Sequence, residues 1–321
     1  MQQKAVKQMA SHFSLGIDTS NYKTSVAVVN TEGDIICNLQ KYLDVKKGER
    51  GLRQSAALFQ HVNNLPELLQ TAFSEIKGRG SIDCVCTSAK PRPIEGSYMP
   101  VFNAGVSAGK MLASALDAAY LEFSHQEGHI EAVKHDSPLR DANRIVSFHF
   151  SGGTSEALLV EGDNIDIVGG SKDLAFGQVL DRIGVALGMN FPCGEELDKL
   201  ALRGQSPAQN DLPKIKCADG YINLSGIETK CQRVIGEVSE TALVAMLFQR
   251  LGESIEDMTL QLRKKYKIND FLFAGGVSSS AYIRKMLRSD LSHLNICFGE
   301  PALSTDNAVG IARLGGKKTW L

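Results

Sequence analysis

Two imidazoles four residues apart are the strongest chemical signal in this chain. His125 and His129, in the run His125-Gln126-Glu127-Gly128-His129, fall one above the other on a single helix face. Neutral imidazoles so placed can bind one divalent metal ion from the same side. Glu127 follows the first histidine by two positions and so points to the other side of the helix. A zinc protease of the His-Glu-x-x-His kind needs its glutamate directly after the first histidine, and Gln126 holds that place. The pair implies a metal without implying that peptidase chemistry. On a polar helix surface the same two residues would be inert.

A metal held by two histidines needs a third ligand. Asp306, in Ser304-Thr305-Asp306-Asn307, stands at the start of the last helical segment, where an aspartate ordinarily caps. His61, His135, His149 and His293 are alternatives that no spacing argument selects. Phosphate-binding turns are the second signal. In Ser151-Gly152-Gly153-Thr154 a turn after a strand aims backbone N–H groups outward, and two glycines let a ligand approach closely. Asp18-Thr19-Ser20 is the matching turn earlier in the chain, and Gly275-Gly276, between a strand and a helix, is a third cradle. Asp181 lies on a helix face, within reach of a ribose hydroxyl or of an i,i+4 surface partner.

The elements that must position these groups alternate between strand and helix chemistry. Residues 13–18, 24–30 and 35–40 read as an antiparallel meander. The design returns about 130 residues later at 144–150, 154–160 and 164–169. Thr24-Ser25-Val26-Ala27 aligns with Thr154-Ser155-Glu156-Ala157, and Glu32-Gly33-Asp34 with Glu161-Gly162-Asp163. Such a period suits a duplicated domain. Helical spacing covers 52–76, 103–118, 173–188 and 194–203, two long helices fall in 228–266, and others cover 280–290 and 306–314. Ser124 is a plausible N-cap for the histidine helix. Strands follow at 82–87, 119–123, 270–274 and 294–298, and Lys90-Pro91-Arg92-Pro93 makes 88–100 a loop. The class is α/β with mixed sheets.

The totals set outer limits. A chain of 321 residues is more than one core usually holds, which predicts two lobes. Hydrophobic residues make up 43% and charged residues 22%, an ordinary globular balance. A net charge of -1 gives no overall attraction to nucleic acid or an acidic membrane. Arg284, Lys285 and Arg288, with Lys46, Lys47, Arg50 and Arg53, are local candidates for phosphate contact. No apolar run reaches the ~18 residues of a membrane span. The polar start, with Lys4 and Lys7, reads as a disordered leader rather than a secretory signal. Seven cysteines without a C-x2-C pair fit reduced thiols and a cytoplasmic location. Cys84 and Cys86 point the same way from a strand, into the core.

Together these residues resemble the tRNA threonylcarbamoyladenosine synthase family, formerly filed as O-sialoglycoprotein endopeptidases. The motifs are His125-x3-His129, SGGTS at 151–155, GQVLDRIGVALGMNFPCG at 177–194, NLSGIETK at 223–230, AGGVSS at 274–279 and STDNAVGIA at 304–312. The resemblance runs from Leu15 to about Gly315. It implies a duplicated actin-like, sugar-kinase-type ATPase fold with an interlobe cleft, in two βββαβα lobes at 13–142 and 143–304, a helix at 305–318 packing back on the first. It implies one iron or zinc ion on His125, His129 and Asp306. It implies ATP or an acyl-adenylate bound by Phe150, Ser151, Gly152, Gly153, Thr154, Asp181 and Gly194, with Gly275, Gly276 and Ser280 alongside. The implied reaction moves a threonylcarbamoyl group to N6 of the adenosine beside the tRNA anticodon, with Asp18 and Lys23 in the catalytic positions.

The chain departs from the family pattern at definite places. The family reads T-S-C-D-E-T after its first strand, whereas this chain has Thr19-Ser20-Asn21-Tyr22-Lys23-Thr24. A cation at Lys23 can hold a phosphate or carboxylate but cannot serve as a base in the same way. The histidine of S-G-G-H-T is replaced by Thr154, the G-P-G loop by Lys90-Pro91-Arg92-Pro93, and an asparagine by Ser280. These departures describe a divergent paralogue. They leave a second class open, a non-catalytic nucleotide-binding protein that forms a heterodimer with a related actin-fold synthase. The peptidase of the old family name has no nucleophile triad in support.

Overall fold

The computed structural model describes residues 11–20, 22–45, 52–204 and 210–320. Lys4, Lys7, Asn21, Lys46, Lys47, Arg50 and the rest of the expected leader before Ser11 lie outside the described residues. Two compact units divide the chain: Met1–Ala132 with Asp306–Leu321, and Val133–Thr305.

In the first unit, β1 (Ser11–Asp18), β2 (Lys23–Val29) and β3 (Ile35–Tyr42) form the meander; α1 (Gln54–Ile76), β4 (Gly80–Lys90), α2 (Asn103–Leu116), β5 (Ala119–Ser124) and α3 (His125–Lys134) follow. The sheet order is β3-β2-β1-β4-β5. β1 pairs antiparallel with β2 and parallel with β4, and β4 pairs parallel with β5. The alternation of Phe13-Ser14-Leu15-Gly16-Ile17-Asp18 is set by its two faces. Phe13, Leu15 and Ile17 pack with Leu65, Leu68 and Ala72 of α1. On the other face, the Ser14 hydroxyl donates to the Ala312 carbonyl at 2.7 Å. Cys84 and Cys86 are fully buried on β4, as their spacing predicts.

In the second unit, β6 (Arg144–Phe150), β7 (Ser155–Glu161) and β8 (Asn164–Ser171) repeat the meander. Next come α4 (Phe176–Ala186), α5 (Gly194–Arg203), β9 (Tyr221–Ile222), α6 (Ser225–Val234) and α7 (Glu240–Tyr266). The unit ends with β10 (Asp270–Ala274), α8 (Ala281–Asp290), β11 (Asn295–Phe298) and the single turn α9 (Pro301–Ser304). The order is β11-β10-β6-β7-β8-β9, with β6–β7 and β7–β8 antiparallel and β6–β10 and β10–β11 parallel. Without the two-residue β9, the two sheets share one topology, and this is the duplication read from the repeated hairpins. The core of this unit stacks Phe148 between Phe150, Phe271 and Phe273, with ring centroids 4.9–6.3 Å apart.

Several expected bounds shift, among them those of three elements. β4 runs on to Lys90, paired with Ser124, and the loop starts only at Pro91, which has no N–H to give a ladder. α6 is ten residues long, not a long helix. The last helix, α10 (Val309–Trp320), starts three residues later than expected, because the Asn307 side chain accepts from the Val309 N–H at 3.0 Å. Asn307 therefore takes the cap and Asp306 stands before the helix. α1 carries Pro66 inside it, a cost of about 3 kcal/mol set against a long buried face. Among the described residues no helix is long and apolar enough to cross a membrane.

Candidate metal centre and nucleotide cradle

In the first unit, β5 ends at Ser124 and α3 begins at His125, so the two histidines sit on the first turns of a helix at the C-terminal end of a parallel strand. A capping box fixes that start. The Ser124 hydroxyl accepts from the Glu127 N–H at 3.2 Å, and the Glu127 carboxylate accepts from the Ser124 N–H at 2.6 Å. Sequence reasoning names Ser124 as the cap and gives Glu127 no role; the S-x-x-E spacing is the signal that finds it. The Pro91 carbonyl takes the Gln126 N–H at 3.2 Å.

Close packing of α10 on α3 brings in the third group. A Cβ on Gly310 would lie 1.8 Å from the Gly128 carbonyl oxygen, and a Cβ on Gly128 would lie 2.8 Å from Ile311 Cδ1. Backbone excludes any side chain at Gly310, while at Gly128 the Ile311 side chain would have to give way. Asp306 consequently lies with Oδ1 3.4 Å from Nε2 of His125 and 3.4 Å from Nε2 of His129. The two Nε2 atoms are 2.9 Å apart. Donors about 2.1 Å from one ion are separated by about 3.0 Å at a right angle and about 3.4 Å at the tetrahedral angle, so this set fits a single ion. His61 is engaged elsewhere, with Nδ1 2.8 Å from the Thr24 hydroxyl. His149 is buried on β6 of the second unit.

Asp18, at the end of β1, is fully buried, and its Oδ1 lies 3.2 Å from Nδ1 of His125. The Ser20 hydroxyl donates to its Oδ2 at 2.7 Å. Burial opposes a charge on His125, but the Asp18 and Asp306 carboxylates outweigh it and lift the imidazole to about 10. Burial and the charge on His125 push His129 down. Asp306 resists burial through both imidazoles and is held well below the carboxylate range. Lys23 is buried and donates to Gln40 Oε1 at 3.1 Å, its ammonium 4.7 Å from the Tyr42 ring centre. It shares the Asp18 face of the sheet, because Asp18 pairs with Ser25 two residues away.

In the second unit the strand-end turn and two helix starts come together. The Ser151 hydroxyl accepts from the Gly153 and Thr154 N–H groups at 3.4 and 3.1 Å, and the Ser151 carbonyl accepts from Gly177 of α4 at 3.2 Å. Gly275, with φ of 90°, is pressed on this strand; a Cβ there would lie 2.3 Å from the Phe150 carbonyl oxygen. Gly152, Gly153, Gly194 and Gly276 instead face open space, with nothing within 4 Å of a built Cβ. Asp181, whose carboxyl is pushed up by burial against a bond from the Cys193 N–H, accepts that bond at 2.8 Å and so ties down the segment that leads to Gly194.

Two expected ligand residues have structural work. The Phe150 ring is core, 4.8 Å from that of Phe176, which leaves its backbone for any contact. The Ser280 hydroxyl caps α8 and donates to Asp198. Of the basic residues, Arg284 brackets the Ser278 and Gly299 carbonyls, while Lys285, Arg288 and Arg53 are exposed.

A duplicated sheet of this order, with polar turns at the strand ends, defines the actin-like ATPase and sugar-kinase class. Solved structures agree at the level of fold. HypF from T. kodakarensis matches with a TM-score of 0.64 at 12% identity, covering 95% of this chain and 47% of that one. The (R)-2-hydroxyglutaryl-CoA dehydratase component A of Acidaminococcus fermentans matches at 0.59 and 14%, covering 97% and 100%. ROK hexokinase from Thermus thermophilus matches at 0.54 and 12%, covering 95% and 98%.

Sequence comparison narrows the class to one family. The family model for TsaD, tRNA N6-adenosine threonylcarbamoyltransferase, matches residues 35–313. The chain belongs to this family of enzymes. The tRNA N6-adenosine threonylcarbamoyltransferase of Thermosipho melanesiensis is 30% identical, with 94% of each chain covered. That of Dictyoglomus turgidum is 29% identical, with 94% of this chain and 92% of the relative covered.

Proposed function

We propose that the chain is a metal-dependent transferase that moves a threonylcarbamoyl, or simpler carbamoyl, group from an acyl-adenylate to N6 of an adenosine in tRNA. The observation that carries this reading is the convergence of His125 Nε2, His129 Nε2 and Asp306 Oδ1 at separations that fit one ion. Iron or zinc suits two imidazoles and a carboxylate. When bound, the ion supplies a Lewis acid that polarises the donor and holds it in line.

The residues of this chain do the rest. Gly152, Gly153 and Gly276 offer a ligand bare backbone, which suits the phosphate of an adenylate. Asp181 and Gly194, the positions that the family resemblance assigns to the adenylate, take its nucleoside end in this reading; the open space at Gly194 supports it. Lys23 sets its side-chain nitrogen on the Asp18 face, where it favours an anionic group of the donor. The acceptor amine attacks the carbonyl carbon, the bond from that carbon to the phosphate oxygen breaks, AMP leaves with the electron pair, and the amine proton passes to water.

The test measures metal content and transfer together. His125→Ala and Asp306→Ala are expected to lose the bound metal and at least 100-fold in threonylcarbamoyl transfer to tRNA, with the far-UV circular dichroism unchanged. Wild-type metal content in both variants, or full transfer without the ion, would sink the reading.

A further inference from the structure

Among the described residues, the Asp18 carboxylate is a buried acid against the metal set whose role the ligand geometry leaves open. His125 turns Nε2 toward His129 and Asp306 and turns Nδ1 toward Asp18. The two ring nitrogens face opposite ways across the imidazole. An oxygen bonded to Nδ1 is therefore not a ligand to an ion at Nε2. The other Asp18 oxygen is also occupied, by the Ser20 hydroxyl.

We propose that Asp18 is a positioning residue: its carboxylate, steadied by Ser20, holds the proton of His125 on Nδ1 and so presents the Nε2 lone pair to the metal. The inference rests on the metal-dependent reading above. An imidazole that binds a metal through one nitrogen donates its other N–H, and the acceptor fixes both tautomer and ring angle. Here the acceptor comes from β1 and the imidazole from α3, 107 residues apart in sequence. Asp18 is fully buried at the end of a strand that is hydrogen-bonded on both sides. Its oxygen is therefore a fixed reference for the ring, and the ring has little freedom left when an ion arrives.

The experiment uses the full chain, with Co(II) as probe and a chelator in competition. Asp18→Ala is expected to weaken Co(II) binding by about 10–100-fold. Asp18→Asn keeps an acceptor facing Nδ1 and should recover part of the loss; Ser20→Ala should cause a smaller loss than either. At saturation the visible spectrum of the Co(II)-loaded Asp18→Asn variant should match wild type, because the ligands are intact, while that of Asp306→Asn should differ. Wild-type affinity in all three variants would overturn the proposal, and so would an Asp18→Asn spectrum altered in the manner of Asp306→Asn. A purely structural Asp18 would lower the melting temperature of Asp18→Asn and leave its affinity alone. His125→Ala separates the two levels. If it also binds Co(II) like wild type, the ligand set itself is wrong and the proposal falls with it. If it loses the metal while the Asp18 variants do not, the set stands and only the positioning role falls.

Discussion

At single residues the chain separates groups that must stay small for packing from groups left small for a ligand. Gly275 and Gly152 are both glycines of a strand-end turn, and they behave differently. Gly275 has φ of 90° and backbone 2.3 Å from its would-be Cβ. Gly275→Ala is therefore expected to cost at least 1–3 kcal/mol of stability, visible in the denaturant midpoint. Gly152 has no positive φ and an empty surround. Gly152→Ala should leave that midpoint within about 0.5 kcal/mol while weakening adenine-nucleotide binding, measured by calorimetry. Unchanged nucleotide affinity would remove Gly152 from the cradle. Spacing alone does not distinguish the two, because both sit in Gly-Gly pairs after apolar runs.

At the scale of elements, two helix starts in this molecule are held by carboxylates from a distance. The α6 helix has no side-chain cap at Leu224. Asp173, 51 residues earlier, accepts from the Leu224 N–H at 2.7 Å and from the Ser225 N–H at 3.0 Å. Partial burial opposes its ionisation, but these bonds outweigh it and hold the carboxyl down to about 2, against an ordinary 3.8. A carboxyl held down in the folded state stabilises fully above its unfolded value and loses that contribution as pH falls through the folded one. Asp173→Ala is thus expected to cost about 1 kcal/mol near neutral pH. The gap to wild type should narrow between about pH 4 and pH 2, as followed by urea titration. A gap that stays constant down to pH 2 would refute the charged cap. Asp198 plays the same part for α8, accepting from Ala281 and Tyr282. Elements themselves are legible in sequence, as β10 and α5 show by matching their expected bounds. Caps brought from far along the chain are not, because only packing brings the carboxylate to the helix end.

Across the whole molecule, one topology serves two units with separate cores. Phe148 stands at the centre of the second, fully buried among Phe150, Phe271 and Phe273. Phe148→Ala should cost about 3–5 kcal/mol, read from equilibrium denaturation. A loss under 1 kcal/mol would mean that this cluster is not the centre of the core.

Local chemistry was enough to establish the strand and helix alternation, the doubled meander and the pairing of His125 with His129. Each depends on a period or spacing of a few residues, and the backbone fixes that spacing wherever the chain goes. Tertiary structure alone decided that Asn307 caps α10 and leaves Asp306 for the imidazoles, that Gly128 and Gly310 let two helices touch, and that Asp18 reaches His125. Except for the Asn307 cap itself, those contacts join positions distant in sequence. They exist only once burial of the apolar faces has set strand order and helix approach, and no residue carries that information by itself.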